Sequence, residues 1–342
     1  MNSSERRLIV ALPSKGRLHQ QSIEFLSACG LDVRRLGGDR DYVSSFDGRD
    51  DVWIVYFRPE EIPSRVEQGD AHAGITGEDL YREYAEGQPA SFLLMPKLGY
   101  GAARLVVAVP QSWIDVSTVN DLDEAAMLFH QRHGKSLRVA TKFPRLTRAF
   151  FSESGIVEYA LVESAGATEG APTAGVADFI VDLTSTGTTL AENHLKEIAG
   201  GTVLQTEACI IASLRRALWH PVATAALEQI VEQIEARIRA TAELVLRFSI
   251  GSTAALAVGS QLAERYGCTI NFLSAAADSA TSNGLRFVVI LCPKARLHSV
   301  VQFLKSADVR GIAVDRAEFI FEGSPQAVDR FKQVLKRSNA IA

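Results

Sequence analysis

The sequence predicts an α/β protein built on open parallel sheets, with a smaller α+β unit at its C-terminal end. Three observations predict it. Over the first two thirds of the chain, short apolar β-type runs alternate with helical patterns. From Pro221 onward that alternation gives way to a long amphipathic stretch and then a mixed pattern. The length of 342 residues, with 47% apolar and 22% charged, is that of a globular chain of two or three domains.

The elements follow in order. Residues 7–12 (RLIVAL) read as a buried strand, and His19–Cys29 as a helix closed by Gly30. Residues 52–57 (VWIVYF) form the next strand, and 59–68 a short helix opened by Pro59, whose missing N–H suits a first helical position. Strands are expected at Ala73–Gly77, Leu105–Val109, Leu137–Thr141 and Phe179–Leu183, with helices at 121–131, around Thr147–Phe151 and around Ala191. In the tail, Leu227, Ile230, Val231, Ile234, Ile238 and Val245 share one helical stripe, which predicts a helix over 221–246. Ser252–Tyr266 reads as a helix ended by Gly267, then Thr269–Leu273 as an element and 275–284 as a loop. A strand at 285–291, a helix at 297–304, a strand at 312–321 and a helix at 326–335 complete the chain. The domain division expected is 1–221 and 222–342.

Composition excludes several functions. With 36 Lys and Arg against 40 Asp and Glu, the formal charge is −4, which leaves no basic excess to grip a nucleic-acid backbone. No apolar run reaches the ~20 residues of a membrane span, and Leu8–Leu12 is too short for a signal-peptide core, so a cytoplasmic protein is expected. Cys29, Cys209, Cys268 and Cys292 lie far apart and read as reduced, mostly buried thiols. The seven histidines have no metal-ligand spacing, and no G-x-S-x-G elbow is present. A protein-held metal and a covalent nucleophile are therefore not expected.

What remains is a set of corners at strand ends. The strongest is residues 178–190, where an apolar strand carries Asp178 and Asp182 into a turn of Thr186, Gly187, Thr188 and Thr189 before a helix. Hydroxyls, a glycine and a helix start make a cradle for an anion, with acids suited to sugar hydroxyls; the bland alternative is a Thr-rich helix cap. Lys15, Gly16 and Arg17 follow the first strand, where two cations beside a glycine would hold phosphate oxygens or form a solvated basic turn. Gly74, Thr76, Gly77 and Asp79 make a third corner, and Lys142 to Arg145 a fourth. The Gly/Ala-rich stretch 163–172, which contains Glu169, would lie over a ligand or be a plain loop.

These segments, in this order, resemble the ATP phosphoribosyltransferase family, the first enzyme of histidine biosynthesis. The resemblance rests on ALPSKGRL (11–18), RPEEIPSRVEQGDAHAGITGEDL (58–80), LGYGAARLVVAVP (98–110), RVATKFPRLTRAFF (138–151) and ESAGATEGAPTAGVADFIVDLTSTGTTL (163–190), with Phe143 where the family more often has Tyr. It covers about residues 7–212. It implies two periplasmic-binding-protein-like lobes around one cleft, and attack of adenine N1 of ATP on C1 of phosphoribosyl pyrophosphate with Mg²⁺ held mainly by the substrates. On the matching positions, the Thr186–Thr189 turn would hold the 5-phosphate and Asp178 and Asp182 would sit by the ribose. Lys15, Gly16 and Arg17 would face the phosphates, Arg58 would stabilise the leaving pyrophosphate, and the Gly74–Asp79 corner would meet the nucleotide. The family has a short form that depends on a regulatory subunit related to histidyl-tRNA synthetases. Its long form carries a ferredoxin-like, ACT-type domain and forms hexamers from dimers. Stretch 285–304 resembles the first βα unit of that domain, so 222–342 is expected to be a regulatory or assembly domain of a homo-oligomer. The alternative is a two-lobed ligand-binding or regulatory protein without catalysis.

Overall fold

The structure, a computed structural model, describes residues 7–35, 43–84, 90–164, 166–273 and 285–337. Strand β1 (Leu8–Pro13) is almost wholly buried, as a central parallel strand requires. Gly16, at φ +81°, starts helix α1 (Gly16–Ala28) three residues before the expected His19. Strands β2 (Val33–Arg35) and β3 (Val43–Phe46) pair antiparallel ahead of β4 (Arg49–Phe57). A 3-10 turn at Pro59–Glu61 leads into α2 (Ile62–Gln68), and then β5 (Ala73–Gly77), α3 (Glu78–Tyr84) and β6 (Ser91–Met95) follow.

The chain then crosses to a second sheet. There it forms β7 (Ala103–Pro110), α4 (Val119–His133), β8 (Leu137–Thr141), α5 (Pro144–Glu153), β9 (Tyr159–Glu163), β10 (Phe179–Thr184), α6 (Thr188–Glu192) and β11 (Leu195–Thr206). It returns to the first sheet as β12 (Ala208–Ser213), antiparallel between β5 and β6. The first sheet has seven strands in the order β2-β3-β4-β1-β5-β12-β6, and the second has five in the order β11-β7-β10-β8-β9. Because β1 is parallel to β4 and β5, and β8 to β9 and β10, each sheet gathers its strand C-termini along one edge. Two α/β lobes joined by two crossings form the periplasmic-binding-protein-like architecture expected. The core of the second lobe is built on Leu105, Val107, Val139, Phe151, Phe179 and Val181, all nearly or fully buried.

Helix α7 (Pro221–Ala242) ends four residues before the expected Leu246. From Glu243 the pattern changes to alternation, and Leu244, Leu246, Phe248 and Ile250 turn one face of β13 (Glu243–Gly251) into the core of the smaller unit. Then come α8 (Ser252–Tyr266), β14 (Thr269–Leu273), β15 (Leu285–Pro293), α9 (Leu297–Ser306), β16 (Arg310–Asp315) and α10 (Gln326–Arg337). Gly267 closes α8 in the left-handed conformation as expected, whereas the expected loop at 275–284 lies outside the described residues. The sheet order is β14-β15-β13-β16 with every neighbouring pair antiparallel, and Ala255, Val258, Leu262, Val300 and Leu304 bring both helices onto one face. That is a ferredoxin-like βαββαβ unit.

By packing, the chain divides into a larger unit and a smaller one. The larger unit is Leu31–Leu227 with the described parts of Met1–Ser27 and Ala327–Ala342. The smaller is Glu228–Gln326 with Ala28–Gly30. The division differs from the one expected at 221/222 in its last helix: the Phe331 ring of α10 lies 5.9 Å from that of Phe92 and 4.9 Å from that of Trp219, in the larger unit. All four cysteines are free and buried, and burial pushes the Cys29 and Cys268 thiols up to about 12. Among the described residues no helix is long and apolar enough to cross a membrane.

His72 ties the first sheet to the segment before α7. Its Nδ1 accepts the Ile9 N–H at 3.1 Å, so Nε2 carries the proton and donates to the Leu218 carbonyl at 3.0 Å. Burial lowers the imidazole pKa from 6.5, with the Leu218 carbonyl acting in the opposite direction. The unfolded chain therefore takes up the proton first as pH falls. Stability should be full above about pH 6.5 and fall below it, and His72→Gln should flatten that slope in urea denaturation between pH 5 and 7.5.

Candidate functional site

Three corners meet at the C-terminal edge of the first sheet. The Ser14 N–H donates to the Phe57 carbonyl at 2.7 Å, which sets the Lys15–Arg17 turn against the turn that carries Arg58. Lys15, Gly16, Arg17 and Arg58 are all exposed there. The third corner is buried: Asp79 is 5% exposed and exchanges two hydrogen bonds with Thr206. The Thr206 hydroxyl donates to its carboxylate at 2.7 Å and accepts the Asp79 N–H at 3.0 Å. Burial raises the Asp79 pKa, and the Thr206 hydroxyl opposes that rise. Gly77 must lack a side chain, because a Cβ there would stand 2.4 Å from Asp79 Oδ1.

The cradle comes from the second lobe. At the end of β10 the Thr184 hydroxyl accepts the Gly187 N–H at 2.9 Å, and Gly187 turns at φ +79° into α6. The Thr186 and Thr188 hydroxyls meet at 2.9 Å. The Gly187 N–H is thus spent inside the turn rather than aimed at a ligand, and hydroxyls supply much of the donor surface. Asp182, Glu169, Thr186 and Thr189 line one cavity of about 280 Å³ together with Ser185 and Arg17. Burial raises the Asp182 pKa; the Leu183 N–H at 2.8 Å and the charge of Lys142 lower it, and Glu169 raises it further.

Arg17 joins the two lobes. Its Nη2 donates to Ser185 Oγ at 3.0 Å, and the side chain also lines a second cavity of about 220 Å³ with Pro59, Gly77, Asp79, Leu183 and Thr206. The cationic corner of the first lobe and the threonine turn of the second therefore face one cleft. A third cavity of about 740 Å³, which includes Leu80, Tyr84, Lys142, Arg148 and Ser164, opens beside them.

Three expected site residues lie elsewhere. Asp178 precedes β10 at its far end, where its carboxylate accepts the Arg138 N–H at 2.7 Å and pairs with the guanidinium at 2.9 Å. Four residues of extended strand separate it from Asp182 by roughly 13 Å, beyond the reach of one ribose. Gly74 sits inside the first sheet, where a Cβ would meet Ile62 Cγ2 at 2.7 Å, so packing explains it. Thr76 is fully buried and donates to the Pro59 carbonyl at 3.3 Å, a tie within the lobe. Among the described residues no group of His, Cys, Asp and Glu could by itself hold a metal ion.

The family model for ATP phosphoribosyltransferase matches residues 58–236. A Bradyrhizobium ATP phosphoribosyltransferase (strain ORS 278) is 39% identical over 331 residues, covering 96% of this chain and 98% of its own length. A relative of the same name from Nitrobacter hamburgensis is 40% identical with the same coverage. The chain belongs to the ATP phosphoribosyltransferase family. It is thus a phosphoribosyl-transferring enzyme of histidine biosynthesis. The ATP phosphoribosyl transferase (HisG:HisZ) complex from Thermotoga maritima shares the fold, with a TM-score of 0.50 and 24% identity. The match spans 67% of this chain and 98% of that one.

For an ATP phosphoribosyltransferase, the residues that sequence reasoning missed are those that join the corners. Ser185 stands in the threonine turn but was passed over as one more small residue, and Thr206 lies 127 positions from the Asp79 it binds. Neither pairing leaves a local signal. The two aspartates give a direct check: Asp182→Asn should weaken phosphoribosyl donor binding about tenfold by calorimetry, as loss of a charged hydrogen-bond acceptor does. Asp178→Asn should leave that binding unchanged and lower the melting temperature.

Proposed function

We propose that this chain transfers the phosphoribosyl group of phosphoribosyl pyrophosphate to N1 of ATP and releases pyrophosphate. The observation that carries this reading is the Arg17–Ser185 bond, which sets a cationic turn against a hydroxyl-rich turn across one cleft. The Thr186–Thr189 turn, with Ser185, takes the 5-phosphate, and Asp182 and Glu169 accept the ribose hydroxyls. Lys15, Arg17 and Arg58 face the pyrophosphate.

Adenine N1 presents a lone pair and no proton, so attack needs no general base. As the N1–C1 bond forms, the C1–O bond breaks and its electron pair leaves with pyrophosphate, inverting C1. The barrier falls through positioning and through cations placed where charge collects on the leaving group. Mg²⁺ would be held mainly by substrate phosphates, and Asp182 and Glu169, which line the same cavity, are the carboxylates that could add to its ligands. When bound, it would neutralise charge on the pyrophosphate. A cytoplasmic setting suits such an enzyme and keeps its four free thiols reduced.

The smaller unit serves regulation or assembly in this reading, in a homo-oligomer that acts without a partner. Its ferredoxin-like fold supports that. A regulatory subunit related to histidyl-tRNA synthetases is the competing arrangement.

The test is pyrophosphate release by the purified chain with ATP, phosphoribosyl pyrophosphate and Mg²⁺, followed by histidine titration. Release should need both substrates and yield an N1-substituted adenine by mass spectrometry. Arg58→Ala should slow turnover about 100-fold with the fold intact, and unchanged turnover would remove Arg58 from this role. Release only after a partner subunit is added would favour the competing arrangement.

A further inference from the structure

Helix α5 lacks a cap of its own. Its N-cap residue is Phe143, which offers no side-chain acceptor, and Pro144 at the first position has no N–H. The Thr147 N–H reaches the Phe143 carbonyl at 3.0 Å and closes the first helical turn. The N–H groups of Arg145 and Leu146 remain, and a helix must satisfy such groups from outside.

Glu83 of α3, an element of the first lobe, satisfies both. Its carboxylate accepts from Arg145 N at 2.8 Å and from Leu146 N at 3.0 Å. Glu83 is 7% exposed, and Leu80, one turn earlier on α3, packs against the core of the second lobe. Burial alone would drive this carboxyl toward its neutral form; the two N–H groups and the charges of Arg145 and Arg148 oppose it. A buried carboxylate with two charge-assisted bonds to backbone is a specific tie rather than incidental packing.

The tie acts on the cleft through a short stretch of chain. Phe143 is pinned at its N–H by the Thr141 hydroxyl at 2.9 Å and at its carbonyl by α5. Lys142 lies between Thr141 and Phe143, and the parallel pairing of Thr141 with Val181 sets it beside Asp182, whose pKa its charge lowers. We propose that Glu83 is a positioning residue: it caps α5 from the opposite lobe and so holds the Lys142 turn against the Asp182 side of the cleft. The kinetic part rests on the reading of that cleft as the phosphoribosyl donor site.

The test compares Glu83→Ala, Glu83→Asp and Glu83→Gln in the full chain. Amide hydrogen exchange at Arg145 and Leu146, which needs no substrate, should accelerate about tenfold in Glu83→Ala and less in Glu83→Gln, whose amide oxygen still accepts. KM for phosphoribosyl pyrophosphate should rise about tenfold in Glu83→Ala with kcat changed less, and Glu83→Gln should recover part of it. If Glu83→Ala does not fold, Glu83→Asp, one methylene too short to span both donors, carries the same expectation. Protected amides in the variants, or exposed amides with an unchanged KM, would overturn the proposal. A wild-type chain that releases no pyrophosphate even with a partner subunit added would instead overturn the assigned reaction, and the exchange result would still stand.

Discussion

The cleft depends on one topological constraint: the chain leaves the first sheet after β6 and must come back to it as β12. Every residue that faces the cleft is placed by strands on one side or the other of these crossings. The return crossing is fixed by the reciprocal bonds between Asp79 and Thr206, which join the β5–α3 corner of one lobe to the last residue of the other lobe's long strand. With that junction set, Arg17 can reach Ser185, and Glu83 can reach the start of α5. Buried carboxylates at both points make these junctions costly to loosen, since separating them would strand a charge without its donors.

The division of labour between the lobes follows from sheet direction. Parallel strands bring their C-termini to one edge, and each such edge carries turns rather than regular structure. The first lobe offers cations at its edge; the second offers hydroxyls and two carboxylates. The phosphorylated sugar of the proposed reaction has phosphates at one end and hydroxyls in the middle, so two dissimilar edges would suit it better than two alike. Neither edge alone would select such a ligand from simpler anions.

Much of this architecture was legible in the sequence because the buried strands are short and apolar and the helices between them begin with Pro59 and Pro144 or end at Gly69 and Gly134. The strands that escaped include edge and crossing strands. β2 has partly exposed residues, and β11 is broken by Gly200 and Gly201 at an irregularity in its pairing with β7. The boundary between α7 and β13 was hidden because Val245 continues the helical stripe while Leu244 and Leu246 begin the alternation. The structure brings Asp182, Glu169, Thr186 and Arg17 to one cavity, where residue chemistry and strand-end position agree. Asp178 was misassigned because its spacing from Asp182 was read without the length of an extended strand, and Gly74 because close packing demands a small residue as firmly as a ligand does.

The return of α10 to the larger unit has a consequence for how the smaller unit is attached. That unit is tethered at both ends, by α7 before it and by the segment leading to α10 after it. It is an insertion in the architectural sense and not an appendage. Cutting the chain at the end of α7 would strip away Phe331 and uncover the rings of Phe92 and Trp219 along with it. A trimmed catalytic unit would therefore have to be made by excising the middle and rejoining the ends, and its evolution from a shorter ancestor would have had to supply a new terminal helix as well as a new domain.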